Sequence, residues 1–256
     1  MKNPFDLTGR VALVTGASSG LGVQFAKALA KQGANVALLA RRVDRLKKVA
    51  EEIEALGVEA LVVPCDLSDF SSIPAAVEQV DKHFGRLDIL VNNAGVGISS
   101  AAEEQTNEEW QHVIDVNLNA VYMVAREAAK IMIKNNYGRI INTASINSKA
   151  SSYDMFDLSA YCTSKGGVVM MTRALANEWA EFNITVNCIG PAYFNSEMTN
   201  DYIDTDWFTD YIKRSCPMKR KGREGELDTT ILYFASELTS YTTGQYLAVD
   251  GGWLTI

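Results

Sequence analysis

The sequence is poor in the residues that build metal centres and covalent frameworks. Its four cysteines, Cys65, Cys162, Cys188 and Cys216, stand far apart with no C-x-x-C pair, and only two histidines accompany them in 256 residues. That spacing excludes a zinc ribbon and a disulfide scaffold. No metal ligands are assigned, and the thiols read as small hydrophobes of a reduced, cytoplasmic protein. No segment approaches the ~20 consecutive apolar residues that a membrane-spanning helix needs. The opening MKNPFDLTGR holds no apolar stretch of signal-peptide length. Positive charge is also scarce: 24 Lys and Arg face 31 Asp and Glu, for a net charge of −7, which speaks against nucleic acid as a partner. The one short basic run, MKRKGR (218–223), adjoins acidic EGE and reads as a solvated loop. Linkers, internal repeats and low-complexity segments are missing, so 1–256 reads as one domain.

What the sequence has in quantity is alternation. Apolar runs of strand length recur at VALVTG (11–16), NVALLA (35–40), EALVVPCD (59–66), RLDILVNNAG (86–95), GRIINTAS (138–145), NITVNCIGP (183–191) and TGQYLAVDGG (243–252). Between them lie segments with apolar residues at helical spacing: 21–33, 43–57, the IPAAVEQVDKHFG run, about 106–136, 161–182 and 224–236. Residues 192–215 read as irregular with helical pieces. Strands separated by helices pair in parallel through right-handed crossovers. The expectation is an α/β, single-domain Rossmann fold: a doubly wound, seven-stranded parallel sheet with helices on both faces. Ligands of such sheets bind outside the carboxyl ends of the strands.

The first apolar run ends in TGASSGLG (15–22), a concentration of glycine that a turn alone does not need. Gly16 permits a tight strand-to-helix turn, Gly20 lets a pyrophosphate approach the backbone, and Gly22 allows close helix–sheet packing. The helix that follows offers free N–H groups to phosphates. At the end of the second run, where a carboxylate would bind an adenosine ribose, stand Arg41 and Arg42. Two guanidiniums suit a 2′-phosphate, so the expected cofactor is NADP(H). Further on, Tyr161 and Lys165 lie four apart on one helical face. A nearby ammonium lowers the pKa of a phenol, which then passes a proton to or from a substrate oxygen. Ser145, at the end of its strand, is placed to bind the same oxygen.

On these residues the whole chain resembles the short-chain dehydrogenase/reductase family. The resemblance implies a catalytic set of Asn117 (in DVNLNA), Ser145, Tyr161 and Lys165. Tyr161 would be the general acid or base, Ser145 would polarise the carbonyl, and Lys165 would lower the Tyr161 pKa and hold the nicotinamide ribose. Asn117 would bind water through a helix distortion. The cofactor would be held by Gly16, Ser18, Ser19, Gly20, Leu21 and Gly22 of the loop, by Arg41 and Arg42, and by Asp66 and Leu67 at the adenine. Asn93, Ala94 and Gly95 of the NNAG turn, Tyr161, Lys165, Pro191, Phe194 and Ser196 would complete its site. Two departures from the family pattern stand after the sixth strand, where GPAYFNSEM has Ala192 for a glycine and Ser196 for a threonine. The resemblance also implies a homotetramer, to which the apolar GGVVMM (166–171) and the ending GGWLTI lend support.

GPAYFNSEMT, YFAS, YTTGQYLAVDGG and ALANEWAEF are similar to the branch that includes gluconate 5-dehydrogenase and fungal-type mannitol dehydrogenases. The expected function is therefore oxidoreduction of a secondary alcohol and ketone in a sugar acid or polyol. Reduction of 3-oxoacyl thioesters, hydroxysteroid oxidoreduction and a non-catalytic dinucleotide-binding sensor are the alternatives. The substrate is expected to meet Ser145, Asn147, Lys149, Tyr161 and Tyr193, with Lys149 pairing a carboxylate and Asp154 and Asp157 binding hydroxyls. Residues 146–160 should bulge beside the carbonyl site, and about 192–215 should close over it as a lid.

Overall fold

The computed structural model of the chain describes residues 3–151 and 156–255. Its centre is one parallel sheet of seven strands: β1 (Val11–Thr15), β2 (Asn35–Ala40), β3 (Ala60–Pro64), β4 (Ile89–Asn92), β5 (Gly138–Thr143), β6 (Ile184–Pro191) and β7 (Tyr246–Val249). Their order is β3-β2-β1-β4-β5-β6-β7. β1, β4, β5 and β6 are buried at every residue, as expected of near-continuous apolar runs covered on both faces.

The helices are α1 (Gly20–Ala30), α2 (Val43–Glu54), α3 (Ile73–Phe84), α4 (Asn107–Ile114), α5 (Ala120–Lys134), α6 (Ser159–Trp179), α7 (Asp206–Ser215) and α8 (Asp228–Ala235). One core joins Phe25 and Leu29 of α1, Leu46 and Ile53 of α2 and Ile231 and Phe234 of α8 to Val14 and Val36 of the sheet. The other joins Val80 of α3, Val124 and Ala128 of α5 and Leu175 of α6 to Leu13, Leu39 and Ile140. Among the described residues no helix is long and apolar enough to cross a membrane.

Three expected elements come out differently. The stretch 106–136 is not one α-helix: a π-helical turn, Asp115–Asn119, separates α4 from α5. Its cause is visible at Asn117, whose amide bonds both backbone groups of Val96 and so holds a turn of wider radius. The helix expected over 224–236 begins only at Asp228, because the Glu226 carboxylate accepts from the Arg223 N–H at 2.8 Å and draws the preceding residues into a turn. The last strand stops at Val249, where the Asp250 carboxylate accepts from the N–H groups of Gly252 and Leu254. Within 192–215 the only regular α-helix is α7.

The strand order reverses between β1 and β4, and the loops after both strands diverge at their carboxyl ends. A cavity of about 550 Å³ opens there, lined by the segments that follow β1 through β6.

Candidate active site

The loop after β1 is shaped by its glycines and clamped by its neighbours. Gly16 and Gly20 have φ of +68° and +54°, a left-handed backbone that a side chain makes costly. Gly22 is needed for space instead: a Cβ there would stand 2.3 Å from the Gly16 carbonyl oxygen and 2.7 Å from Asn93 Nδ2. Gly22 packs behind the cavity, whereas Gly16, Ser18, Ser19, Gly20 and Leu21 line it. Thr15 ties this loop to the one after β4. Its hydroxyl accepts from the N–H groups of Asn93 and Ala94 at 2.9 and 3.1 Å, and its carbonyl accepts from Asn93 Nδ2 at 3.1 Å. No side chain caps the start of α1, so its first-turn N–H groups stay available to an anion.

Gly22→Ala therefore tests the loop directly. The added methyl meets backbone that cannot yield, so stability should fall by about 1–3 kcal/mol and dinucleotide affinity should fall with it. Thermal unfolding and a cofactor titration read the two effects; an unchanged melting temperature and affinity would mean that the loop relaxes freely.

The two arginines after β2 are not equivalent. Arg42 Nε and Nη2 donate to Ser18 Oγ at 3.2 and 3.0 Å, and Nη2 also donates to Ser19 Oγ at 2.9 Å. Arg41 has a 67% exposed side chain, 3.9 Å from Asp66. Asp66 lines the cavity with Leu67. Its Oδ1 accepts from the Ser68 N–H and hydroxyl at 3.0 and 2.8 Å, and these bonds, the backbone one foremost, hold its pKa below the usual carboxylate value.

The residues expected to form the catalytic set lie just after β5, on α6 and in the π turn. Ser145 follows β5; its hydroxyl accepts from the Asn147 N–H at 3.1 Å and bonds the Tyr161 phenol. Tyr161 and Lys165, one turn apart on α6, line the cavity with Ser145. Lys165 Nζ donates to the Thr143 carbonyl at 2.8 Å and lies 5.7 Å from the Tyr161 ring centroid. α6 is keyed to the sheet by a buried chain in which Asn92 Nδ2 donates to Asn142 Oδ1 and Asn142 Nδ2 donates to Thr172 Oγ1, each at 3.0 Å. Asn117 is fully buried and does not line the cavity; its Nδ2 donates to the Val96 carbonyl at 2.8 Å and to Ser164 Oγ at 3.2 Å. It positions the Val96 wall.

Burial dominates the electrostatics of this pair. Burial pushes the Tyr161 phenol above its ordinary value of 10, only partly opposed by the Ser145 hydrogen bond. The same burial brings Lys165 down to about 8. In the protein alone, burial is the largest influence on both groups, and it disfavours the charged form of each.

Where the substrate is expected, the cavity is bounded by Ser145, Asn147, Tyr161 and Tyr193, and also by Val96, Ser99, Ile146, Phe156, Leu158, Met198 and Tyr202. Lys149 does not line it. Its ammonium sits 5.4 Å from the centroid of the Tyr246 ring, and Tyr246 in turn donates to the Ser145 carbonyl at 3.0 Å. Asp157 does not line it either: its backbone is tied to the 99–100 segment, where Ser99 Oγ accepts its N–H at 3.2 Å, while Phe156 and Leu158 line the cavity. Asp154 lies outside the described residues.

Pro191, Phe194 and Ser196 line the opposite wall with Thr199. Ala192, in place of glycine, keeps an ordinary backbone, since Asn136, Asn183 and Lys219 are the non-glycine residues with positive φ among those described. The Ser196 N–H donates to Thr199 Oγ1 at 3.0 Å. Behind this wall Tyr193 packs on Phe208 and Trp253, with ring centroids 4.9 and 5.2 Å away. The aromatic wall, Arg45 and Glu197 were not singled out from the sequence. Arg45 had a signal, since it stands three residues after Arg42, in the first turn of α2; Glu197 had none.

A family model described as short chain dehydrogenase matches residues 10–207. Gluconate 5-dehydrogenase of Gluconobacter oxydans (strain 621H) is 34% identical over 248 residues, covering 97% of this chain and 96% of its own. The 2-dehydro-3-deoxy-D-gluconate 5-dehydrogenase of Escherichia coli (strain K12) is 36% identical over 251 residues, covering 98% and 97%. Among solved structures, a gluconate 5-dehydrogenase from Burkholderia cenocepacia J2315 in complex with NADP and tartrate superposes with a TM-score of 0.94 at 31% identity, covering 99% of this chain and 98% of the other.

Proposed function

The chain belongs to the short-chain dehydrogenase family, and on that premise we propose that it interconverts the secondary alcohol and ketone of a sugar acid with NADP(H). The observation that carries the reading is the convergence of Ser145, Tyr161 and Lys165 on one cavity with the glycine loop. The fit to a dinucleotide rests on two features of this chain: the uncapped start of α1 and the left-handed glycines Gly16 and Gly20, which line the cavity without side chains. The loop from Gly16 to Leu21 would hold the pyrophosphate, and Arg41 and Arg42 the 2′-phosphate. Asp66 and Leu67 would flank the adenine. Asn93, Ala94 and Gly95 would line the adenosine side, and Tyr161, Lys165, Pro191, Phe194 and Ser196 would surround the nicotinamide riboside.

Bound NADP(H) supplies or accepts the hydride. The Tyr161 phenol donates a proton to the substrate oxygen in reduction and takes it back in oxidation. The Ser145 hydroxyl donates a hydrogen bond to that oxygen and keeps the phenol aligned. Lys165, anchored on the Thr143 carbonyl, adds a positive charge beside the phenol while it is protonated. Residues 192–215 act as a lid over the substrate, excluding water, within a single dinucleotide-binding and catalytic domain.

The sugar acid comes from the relatives. A specific observation favours a second reading, a neutral polyol: among the described residues no Lys or Arg except Lys165 lines the substrate end of the cavity. A carboxylate there would rely on Asn147, Ser99 and the tyrosine hydroxyls. A cofactor-coupled screen decides between them. Gluconate, 5-ketogluconate and 2-dehydro-3-deoxygluconate are expected to exceed mannitol, a 3-oxoacyl thioester and a hydroxysteroid in kcat/KM. A preference for the neutral polyol would replace the sugar-acid reading, and cofactor binding without any turnover would favour a sensor.

We further propose a cytoplasmic homotetramer. Its support is narrower than GGVVMM suggested, because Val168 and Val169 are core residues and Met170 alone of that pair's neighbours is 63% exposed. Light scattering measures the assembly; a monomer at micromolar concentration would refute it.

A further inference from the structure

Arg42 does not wait with open donors. Its Nη1 donates to Glu197 Oε1 at 2.9 Å and its Nη2 to Oε2 at 2.7 Å, a two-pronged pairing of guanidinium and carboxylate. Arg45, in the first turn of α2, pairs with the same carboxylate. Ser19, the residue before α1, donates its hydroxyl to Oε2 at 2.8 Å. Glu197 lies 155 residues beyond Arg42 in the chain, in the segment whose Phe194, Ser196 and Thr199 form the cavity wall. A side chain from the lid thus sits among two guanidiniums, a serine hydroxyl and a helix start, a set of donors suited to a phosphate.

We infer that Glu197 is a specificity-determining residue: an internal anion that holds the Ser19–Arg42–Arg45 site until the 2′-phosphate of the cofactor displaces it. The inference rests on the NADP(H) reading above. A phosphate monoester carries close to two negative charges near neutral pH, so it cannot share the site with a carboxylate without strong like-charge repulsion. Glu197 is therefore expected to rotate out when the phosphate arrives, and to stay when the ligand lacks one. The Arg42 bonds, foremost, hold its pKa down at about 2, so the carboxylate remains charged throughout the working pH range and the competition is not a pH switch. Glu197, Arg42 and Arg45 have side chains 43%, 43% and 51% exposed, so solvent screens their pairing and keeps the displacement affordable. The consequence is that Glu197 reduces the advantage of phosphorylated over unphosphorylated cofactor.

The test is an equilibrium titration of the protein, followed by its tryptophan fluorescence, with NADPH, NADH, 2′,5′-ADP and 5′-AMP. Glu197→Gln and Glu197→Ser keep a polar surface residue and remove the charge. Both should tighten NADPH and 2′,5′-ADP by about three- to tenfold, the scale of one or two exposed ion pairs. NADH and 5′-AMP should stay within about twofold, because they do not compete with the carboxylate. Weaker or unchanged NADPH binding in both variants, with a wild type that prefers NADPH and an Arg42→Ala variant that loses the preference, would overturn the inference alone. Glu197 would then orient Arg42 or stand by. A wild type that binds both dinucleotides equally, with no effect of Arg42→Ala, would overturn the NADP(H) reading and this inference with it.

Discussion

Tyr161→Phe is expected to lower turnover by about 10²–10⁴-fold, the usual contribution of a positioned general acid or base, while cofactor affinity stays within about threefold. The variant removes one oxygen from the partner of Ser145 and leaves the ring, α6 and the Lys165–Thr143 bond in place. The pH profile carries the same assignment. Burial raises the phenol above 10 and lowers Lys165 to about 8. Oxidation needs the phenolate, so its rate should climb with pH throughout the alkaline range. Reduction needs the phenol, so it should hold at neutral pH and decline only as the phenol is lost. Steady-state kinetics in both directions check this. Activity of the variant within threefold of wild type, or an oxidative limb that stays flat, would remove Tyr161 from the proton transfer.

Arg42→Ala is expected to weaken NADPH binding by about 10–100-fold, since a charge-assisted hydrogen bond contributes roughly 1.5–3 kcal/mol. NADH affinity should move little. Arg41→Ala should do much less, because Arg41 is largely exposed and stands 3.9 Å from Asp66, whereas Arg42 is fixed on Ser18 and Ser19. The sequence presents the two guanidiniums as a symmetrical pair; the structure separates an anchored one from a solvated one. Competitive titration of the three proteins with both dinucleotides measures the difference. Equal losses from both substitutions would return the pair to equivalence, and no loss from either would remove the phosphate from this end of the cavity.

The legible part of this protein is periodic or local. Strand-length apolar runs alternating with helical spacing determine a parallel, doubly wound sheet, because each element must bury a face and crossovers have one hand. The glycines of TGASSGLG announce a loop that needs left-handed backbone and close packing, and Tyr161 and Lys165 share a helical face by spacing alone. Residues joined by long loops behave differently. Lys149 stands in the right stretch of sequence, yet its ammonium turns to Tyr246 of β7, nearly a hundred residues later. Val168 and Val169 look interfacial in a string of apolar letters and are core, because α6 packs against Ala144 and Cys188.

The sequence by itself determined the sheet and the glycine loop after its first strand, and it placed Tyr161 and Lys165 on one helical face, all of which follow from periodicity and from the chemistry of neighbouring residues. The tertiary structure alone decided which charged groups meet. It placed Glu197 against Arg42, closed Asn117 onto Val96 and raised the Tyr161 phenol that its neighbour was expected to lower. The physical reason is that desolvation and ion pairing depend on distance and burial in three dimensions, and neither has a period along the chain.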